Sequence, residues 1–238
     1  MNRLLRRISI SVLIAALVPL QGAARGAMIV YPIGAAFGTD ALGTVPAGSP
    51  PWLKATFDDG GSAGSVTLTL ENVNLSGGEF TREWNFNLDP NLDPASLSFS
   101  APLKVGSFDD PSIGKIANAF QAGGDGLYDI QFLFATSGAG GGIHRFGLGE
   151  SATLVITGIP TLVASSFNYL SAPAGGAGPF YTAAHIQGIT GPEGSISVWA
   201  TLPEPSAAIP EPSAIVLALF AACAVAVTAC RSWISKCA

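Results

Sequence analysis

The sequence is poor in the residues that usually cross-link a fold or react within it. Cysteine occurs three times, at Cys223, Cys230 and Cys237, all close to the C-terminus. Everything before them has to hold together without a disulfide. Histidine occurs twice, at His144 and His185. Zinc centres draw several His or Cys ligands at close spacing, so none is expected here. Charge is sparse, at 11% of residues, and cations are the scarcer sign. Between Met28 and Glu211 only Lys54, Arg82, Lys104, Lys115 and Arg145 stand against all 16 acids, a net charge of −11. That balance argues against recognition of nucleic acid or anionic lipid through charge. No stretch of this part sustains a period of 3.6 over a helix length, so helices are not expected to build it.

What is present reads as short strands and turns. Glycine (29) and proline (17) are abundant without periodicity, as many turns between strands require. After an extended lead-in or edge strand between Met28 and Pro51, alternation with a period of two sets in. Val66, Leu68 and Leu70 alternate with Thr67 and Thr69, and Trp84, Phe86 and Leu88 with Asn85 and Asn87. Leu97 and Phe99 follow two Asp-Pro turns, Ile113 to Phe120 reads as a helical turn or a strand, and Tyr128, Ile130, Phe132 and Phe134 share one face. The loop Ser137 to Gly142 is almost wholly Gly and Ala, and Ser151 to Thr157, Ser166 to Leu170 and Ser195 to Thr201 supply further strands. The expected fold over residues 28–201 is all-β, an antiparallel two-sheet sandwich of jelly-roll type.

Both ends read as targeting segments. Arg3, Arg6 and Arg7 precede an apolar run from Ile8 to Leu20, and small residues follow. Residues 1–27 are therefore expected to be a signal peptide, cleaved near 24–27. At the other end a Pro-rich linker, residues 202–213, contains Pro-Glu-Pro-Ser twice, and its second copy directly abuts an uncharged apolar run. That run, residues 214–230, is of roughly the minimum length that crosses a bilayer as a helix. The basic residues Arg231 and Lys236 follow in the tail, residues 231–238, and assign that side to the cytoplasm.

The order Pro210-Glu211-Pro212, apolar span, Arg231 resembles the C-terminal signal of PEP-CTERM proteins. These are the presumed substrates of exosortases in Gram-negative bacteria that make exopolysaccharide. The resemblance implies membrane anchoring, then processing by an exosortase-like membrane protease, with Glu211 as a recognition residue. It further implies a destination at the cell surface or in the extracellular matrix, in contact with exopolysaccharide. The phrases "GGEFTREWNFNLDP", "GDGLYDIQFLF" and "ASSFNYLSAPAGGAGPFYTAAHIQGI" are similar to a recurrent domain of uncharacterised PEP-CTERM proteins, to which no activity attaches.

Few constellations point to chemistry. Gly60-Gly61-Ser62-Ala63-Gly64 matches the Gly-x-Ser-x-Gly pattern, but it leads into a strand, whereas a nucleophile elbow turns from strand to helix; it is read as a turn. His144 reads as a surface residue and His185 as a core-edge one. No catalytic set stands out, so a non-enzymatic role is expected. Acidic pairs are plentiful in loops, the usual setting for calcium. Asp109, Asp110, Asp125 and Asp129 are the candidate ligands, and no other cofactor is indicated. Among the aromatics, Trp84 and Tyr128 lie on apolar strand faces, whereas Phe180 and Tyr181 follow a Gly-rich loop and are the candidates for an exposed glycan-facing patch. The expected function is that of an exported structural or interaction protein. A carbohydrate-binding module, calcium-assisted or not, is the alternative, and a secreted hydrolase a third reading.

Overall fold

The computed structural model describes residues 26–38, 44–192 and 194–203. The apolar segments at both ends, and with them Pro210, Glu211, Pro212 and Arg231, lie outside the described residues. The strands are Met28–Ile33 (β1), Ala35–Phe37 (β2), Leu53–Asp58 (β3), Val66–Asn72 (β4), Phe80–Phe86 (β5), Ser98–Phe99 (β6), Leu103–Val105 (β7), Ser112–Ala122 (β8), Asp125–Leu133 (β9), Phe146–Gly147 (β10), Ser151–Thr157 (β11), Thr182–Gly191 (β12) and Gly194–Thr201 (β13). They form two antiparallel sheets. The first runs β1-β3-β4-β11-β6, with β7 also on β11; the second runs β2-β13-β12-β5-β9-β8, with β10 on β5.

The alternating pattern buries one face of the first sheet as the sequence predicts. Strand β4 alternates buried and half-buried residues along its whole length, with Val66, Leu68 and Leu70 inward. Opposite them the second sheet contributes Trp84, Phe86, Ile130, Phe132, Ala184, Ile186 and Val198 to one continuous core. Its centre is aromatic. Phe57 of β3 meets Phe86 of β5 edge-on at 5.1 Å between ring centroids and stacks on Phe167 at 4.3 Å. Such ring pairs contribute about 0.5–1.5 kcal/mol each beyond the area they bury.

Two buried polar groups tie the layers together. Asn72, at the end of β4, donates from Nδ2 to the carbonyls of Phe146 (2.8 Å) and Gly147 (3.0 Å), and its Oδ1 accepts from the Thr81 hydroxyl at 2.6 Å. A residue of the first sheet thereby satisfies the backbone of β10 and a side chain of β5 in the second. The Tyr31 hydroxyl donates to the Phe167 carbonyl at 2.7 Å, and burial pushes its pKa well above the usual phenol range.

Several local readings change. The stretch between Met28 and Pro51, read as an extended lead-in or edge strand, supplies an edge strand to each sheet: β1 pairs with β3 and β2 with β13. The segment from Ile113 to Phe120, ambiguous in sequence, belongs to β8. Ser166 to Leu170 is not a strand. Ala164–Phe167 is a 3-10 turn, because the Ser166 hydroxyl accepts from the Val163 N–H at 3.2 Å while the Ser166 N–H donates to the Val163 carbonyl. Serine offers the backbone this alternative to a sheet ladder. The turn delivers Phe167 to the core. Gly60 to Gly64 is the turn between two strands that was expected, with the Asp58 and Asp59 carboxylates accepting from Gly60 N–H and Gly61 N–H.

The second sheet is covered on both faces, which simple alternation does not anticipate. Asn85 and Asn87, read as solvent-facing, are buried. A smaller apolar cluster of Phe37, Ala122, Tyr128, Ala183 and Trp199 forms beside β12 and β13, on the side away from Val198 and Ala200. Tyr128 joins this cluster and not its alternation partners Ile130 and Phe132. The β8–β9 ladder slips between Lys115 and Phe120, and such a bulge adds local twist that re-aims side chains.

Asn72→Ala strands the buried Phe146 carbonyl and the Thr81 hydroxyl, while the Gly147 carbonyl keeps its Glu150 N–H donor, and is expected to destabilise the fold by about 2–3 kcal/mol. Urea unfolding measures it: the midpoint should fall with an unchanged slope, and a loss below about 0.5 kcal/mol would show that the cross-sheet link is dispensable.

Candidate functional site

The four candidate calcium ligands are spread over different hydrogen-bond sets. Asp109 Oδ1 lies 2.9 Å from His144 Nδ1, and Asp110 Oδ1 lies 2.7 Å from Lys104 Nζ, both pairs at the surface. Asp125, at the tip of the β8–β9 hairpin, is buried, and its Oδ1 accepts from the Ala177 and Gly178 N–H groups. Asp129 accepts from Leu88 N–H at 2.9 Å and from Asn118 N–H at 2.8 Å. Among the described residues no three His, Cys, Asp or Glu side chains gather as a metal ion would require. Asp125 and Asp129 act instead as anchors that hold loop backbone against the second sheet.

Phe180 and Tyr181 are half-buried, which corrects the expectation of an exposed patch. Phe180 packs on Phe37 at 4.6 Å between centroids, as part of the smaller cluster, and Tyr181 stacks on Tyr31 at 6.3 Å. Their backbone carbonyls are held by Asn87 Nδ2, each at 3.1 Å. The two rings divide between two cores and form no joint platform.

Beneath the smaller cluster, Glu83 Oε1 accepts from Gln131 Nε2 at 2.6 Å and from Asn85 Nδ2 at 3.0 Å, and the His185 ring stacks flat on Trp199 at 4.6 Å. Glu83, Asn85, His185 and Trp199 are all buried. This row is interior architecture.

Surface concavities among the described residues include two with polar linings. One, of about 260 Å³, is bordered by Asn87, Asp89, Asn118, Asp129 and Tyr169. Its polar atoms are largely committed to one another: the Tyr169 hydroxyl donates to Asp89 Oδ2 at 2.8 Å, and Asp129 and Asn87 hold backbone as described. The Asn91 backbone N–H and then the Tyr169 hydroxyl hold the Asp89 carboxyl below its usual range, while that contact raises Tyr169.

The other concavity, of about 350 Å³, is lined by Phe80, Thr136, Arg145, Gln187, Ser195 and Ser197. Here the polar groups are not used up. Arg145 lies with its guanidinium over the Phe80 ring, 4.3 Å from the centroid, and its Nε donates to the Thr136 carbonyl at 3.1 Å. Among the described residues no carboxylate pairs with it, and its two terminal nitrogens make no hydrogen bond. The glycine loop makes this posture reachable. A Cβ on Gly138 would lie 3.3 Å from Nη2, and one on Gly142 3.5 Å from the side chain's Cδ. In the sequence Arg145 stands out only as one of five cations among many acids between Met28 and Glu211. The partners that make it a site come from β5, β12, β13 and the loop after β9, and no local motif links them.

If Asp129 is an anchor, Asp129→Ala costs about 2–4 kcal/mol, since two backbone N–H groups lose a charged acceptor. The loss in urea unfolding should be equal in calcium and in EDTA, and a calcium-dependent difference would return the residue to a metal site. For Asp89, carboxyl NMR should give a midpoint below that of an ordinary aspartate, and Tyr169→Phe should raise it. A depressed folded-state pKa means that the Tyr169 contact is fully present above the usual carboxylate range and is lost as pH falls through the lower value.

Comparisons with protein-family models, with curated proteins and with solved structures find no match for this chain.

Proposed function

We propose that this chain is an exported surface or matrix protein that is sorted by its C-terminal segment and acts by contact, not by catalysis. In this reading residues 1–27 are the signal peptide that takes the chain across the inner membrane, and 214–230 form a membrane helix that holds it there. An exosortase-like protease then acts at or near Pro210-Glu211-Pro212 and frees a jelly-roll-like sandwich to the cell surface, among exopolysaccharide. The observation that carries the reading is the uninterrupted order of Pro-Glu-Pro, uncharged span and Arg231. Proline cannot continue a helix, so the motif is expected as accessible backbone at the bilayer face. The fold is compatible with such release: the last described core side chain is Leu202, ahead of both Pro-Glu-Pro copies, and the described core uses no cysteine.

The pocket at Arg145 favours a second reading, a carbohydrate-binding module. Its lining of hydroxyls, an amide and a guanidinium is the donor and acceptor set that sugar hydroxyls engage. The hydrolase reading lacks a comparable observation. The exposed His144–Asp109 pair has no Ser, Thr or Cys hydrogen-bonded to the histidine among the described residues.

Intact mass of the protein from culture medium and from membranes of its native host decides the sorting reading. The expected result is a released form that ends near Pro212, lost in Glu211→Ala. Full-length protein confined to the membrane fraction would overturn release and leave a permanent anchor.

A further inference from the structure

We propose that the Arg145 pocket binds one carboxylated sugar unit, a uronate set in an otherwise neutral, hydroxyl-rich chain. The proposal deepens the carbohydrate-binding reading and rests on it for its setting. Four observations lead to this ligand class.

The guanidinium is already oriented. Its face is seated on Phe80 and its Nε is bonded to Thr136, so the fork that remains is the Nη pair. A planar fork held in advance matches a carboxylate through two parallel hydrogen bonds and loses little freedom on binding. The seat is desolvated on one side, and an aromatic face attracts a cation placed over it.

Among the described residues no carboxylate answers the charge of Arg145. Lys54 and Lys104 are paired with Glu71 and Asp110 at 2.7 Å each, and Lys115 Nζ donates to the Leu97 carbonyl. In a segment with three times more acids than cations, an arginine in a concavity without a carboxylate among the described residues stands out.

The remainder of the lining selects hydroxyls. Gln187, Ser195, Ser197 and Thr136 offer amide and hydroxyl groups, and the pocket's volume of about 350 Å³ lies at the small end of ligand sites. An apolar ligand would desolvate these groups and leave them unpaired, which opposes its binding.

The net charge of −11 limits how many charges the ligand can carry. A polyphosphate or a dense polyanion would meet repulsion from the whole surface, whereas a single carboxylate at Arg145 feels mainly its neighbours, since the field is screened beyond about 8–10 Å at physiological salt. A uronate spaced by neutral sugars satisfies both limits.

The test uses the full-length chain in detergent micelles, titrated by calorimetry with glucuronosyl-glucose and with the same disaccharide reduced at its carboxyl group. Saturable binding of the acid is expected, at least tenfold tighter than of the neutral analogue. Arg145→Gln should lose at least tenfold affinity at an unchanged melting temperature, and Arg145→Lys should lie between. Ser197→Ala should weaken the disaccharide while leaving acetate unaffected. Equal affinity for acid and neutral sugar, or acetate or a short peptide carboxylate binding as tightly as the disaccharide, would overturn the proposal. Absence of saturable binding would do the same. If Arg145→Gln fails to fold, the comparison of acid with neutral sugar on the unaltered chain still decides. Retention of the protein in membranes would sink the sorting reading without affecting this titration, and a null titration would leave the sorting reading standing.

Discussion

Aromatic packing between the two sheets is the contact on which the remainder of this molecule depends. Phe57 meets Phe86 edge-on, Phe86 stacks on Trp84 at 5.9 Å and meets Phe132 at 6.0 Å, and Phe167 closes the row on Phe57. With no disulfide available before Cys223, burial of these rings and the aliphatic side chains around them has to outweigh the chain entropy. Asn72 and Tyr31 sit within that layer and contribute direction where the rings contribute area. Each satisfies a carbonyl that the packing would otherwise leave buried without a donor.

A sandwich of this kind normally leaves the outer face of each sheet to water. Here the second sheet gains a cover from the hairpin tip, the loop before β12 and β2, and the cover is fastened through polar anchors. Asp125 and Asp129 accept from loop amides, and Asn87 donates to loop carbonyls. The acids that resemble loop ligands for a cation therefore have a mechanical task. A carboxylate that accepts two backbone N–H groups fixes the loop backbone that donates to it. The same cover takes up Phe180 and Tyr181, because a ring beside a sheet edge gains more from burial than from exposure.

Fold class was legible because period-two alternation survives in β4 and β11, where one face meets the core and the other meets water or a thin cover. It misled where that condition fails. Asn85 and Asn87 look outward by alternation and are buried, since a second layer that no local pattern announces lies over them. Ser166 reads as a strand residue by local pattern, and its backbone bonding makes a turn instead. The pocket was not legible at all. Thr136, Arg145, Gln187 and Ser197 are brought together by sheet order and by a register shift in β12 between Gln187 and Ile189, which belong to topology and not to any window of sequence.

The charge balance connects these levels. A segment at −11 is kept from its own copies by mutual repulsion, and such a surface resists densely charged anions. Specific attraction for an acidic ligand then requires a cation shielded from the protein's own acids and fixed in place. Lysines paired with Glu71 and Asp110 cannot supply it, because their charge is already answered. Arg145 can, since a glycine loop lets it lie flat and Phe80 holds it without neutralising it. The arginine keeps its charge while losing its freedom, a combination that favours a single well-placed carboxylate over any larger anion.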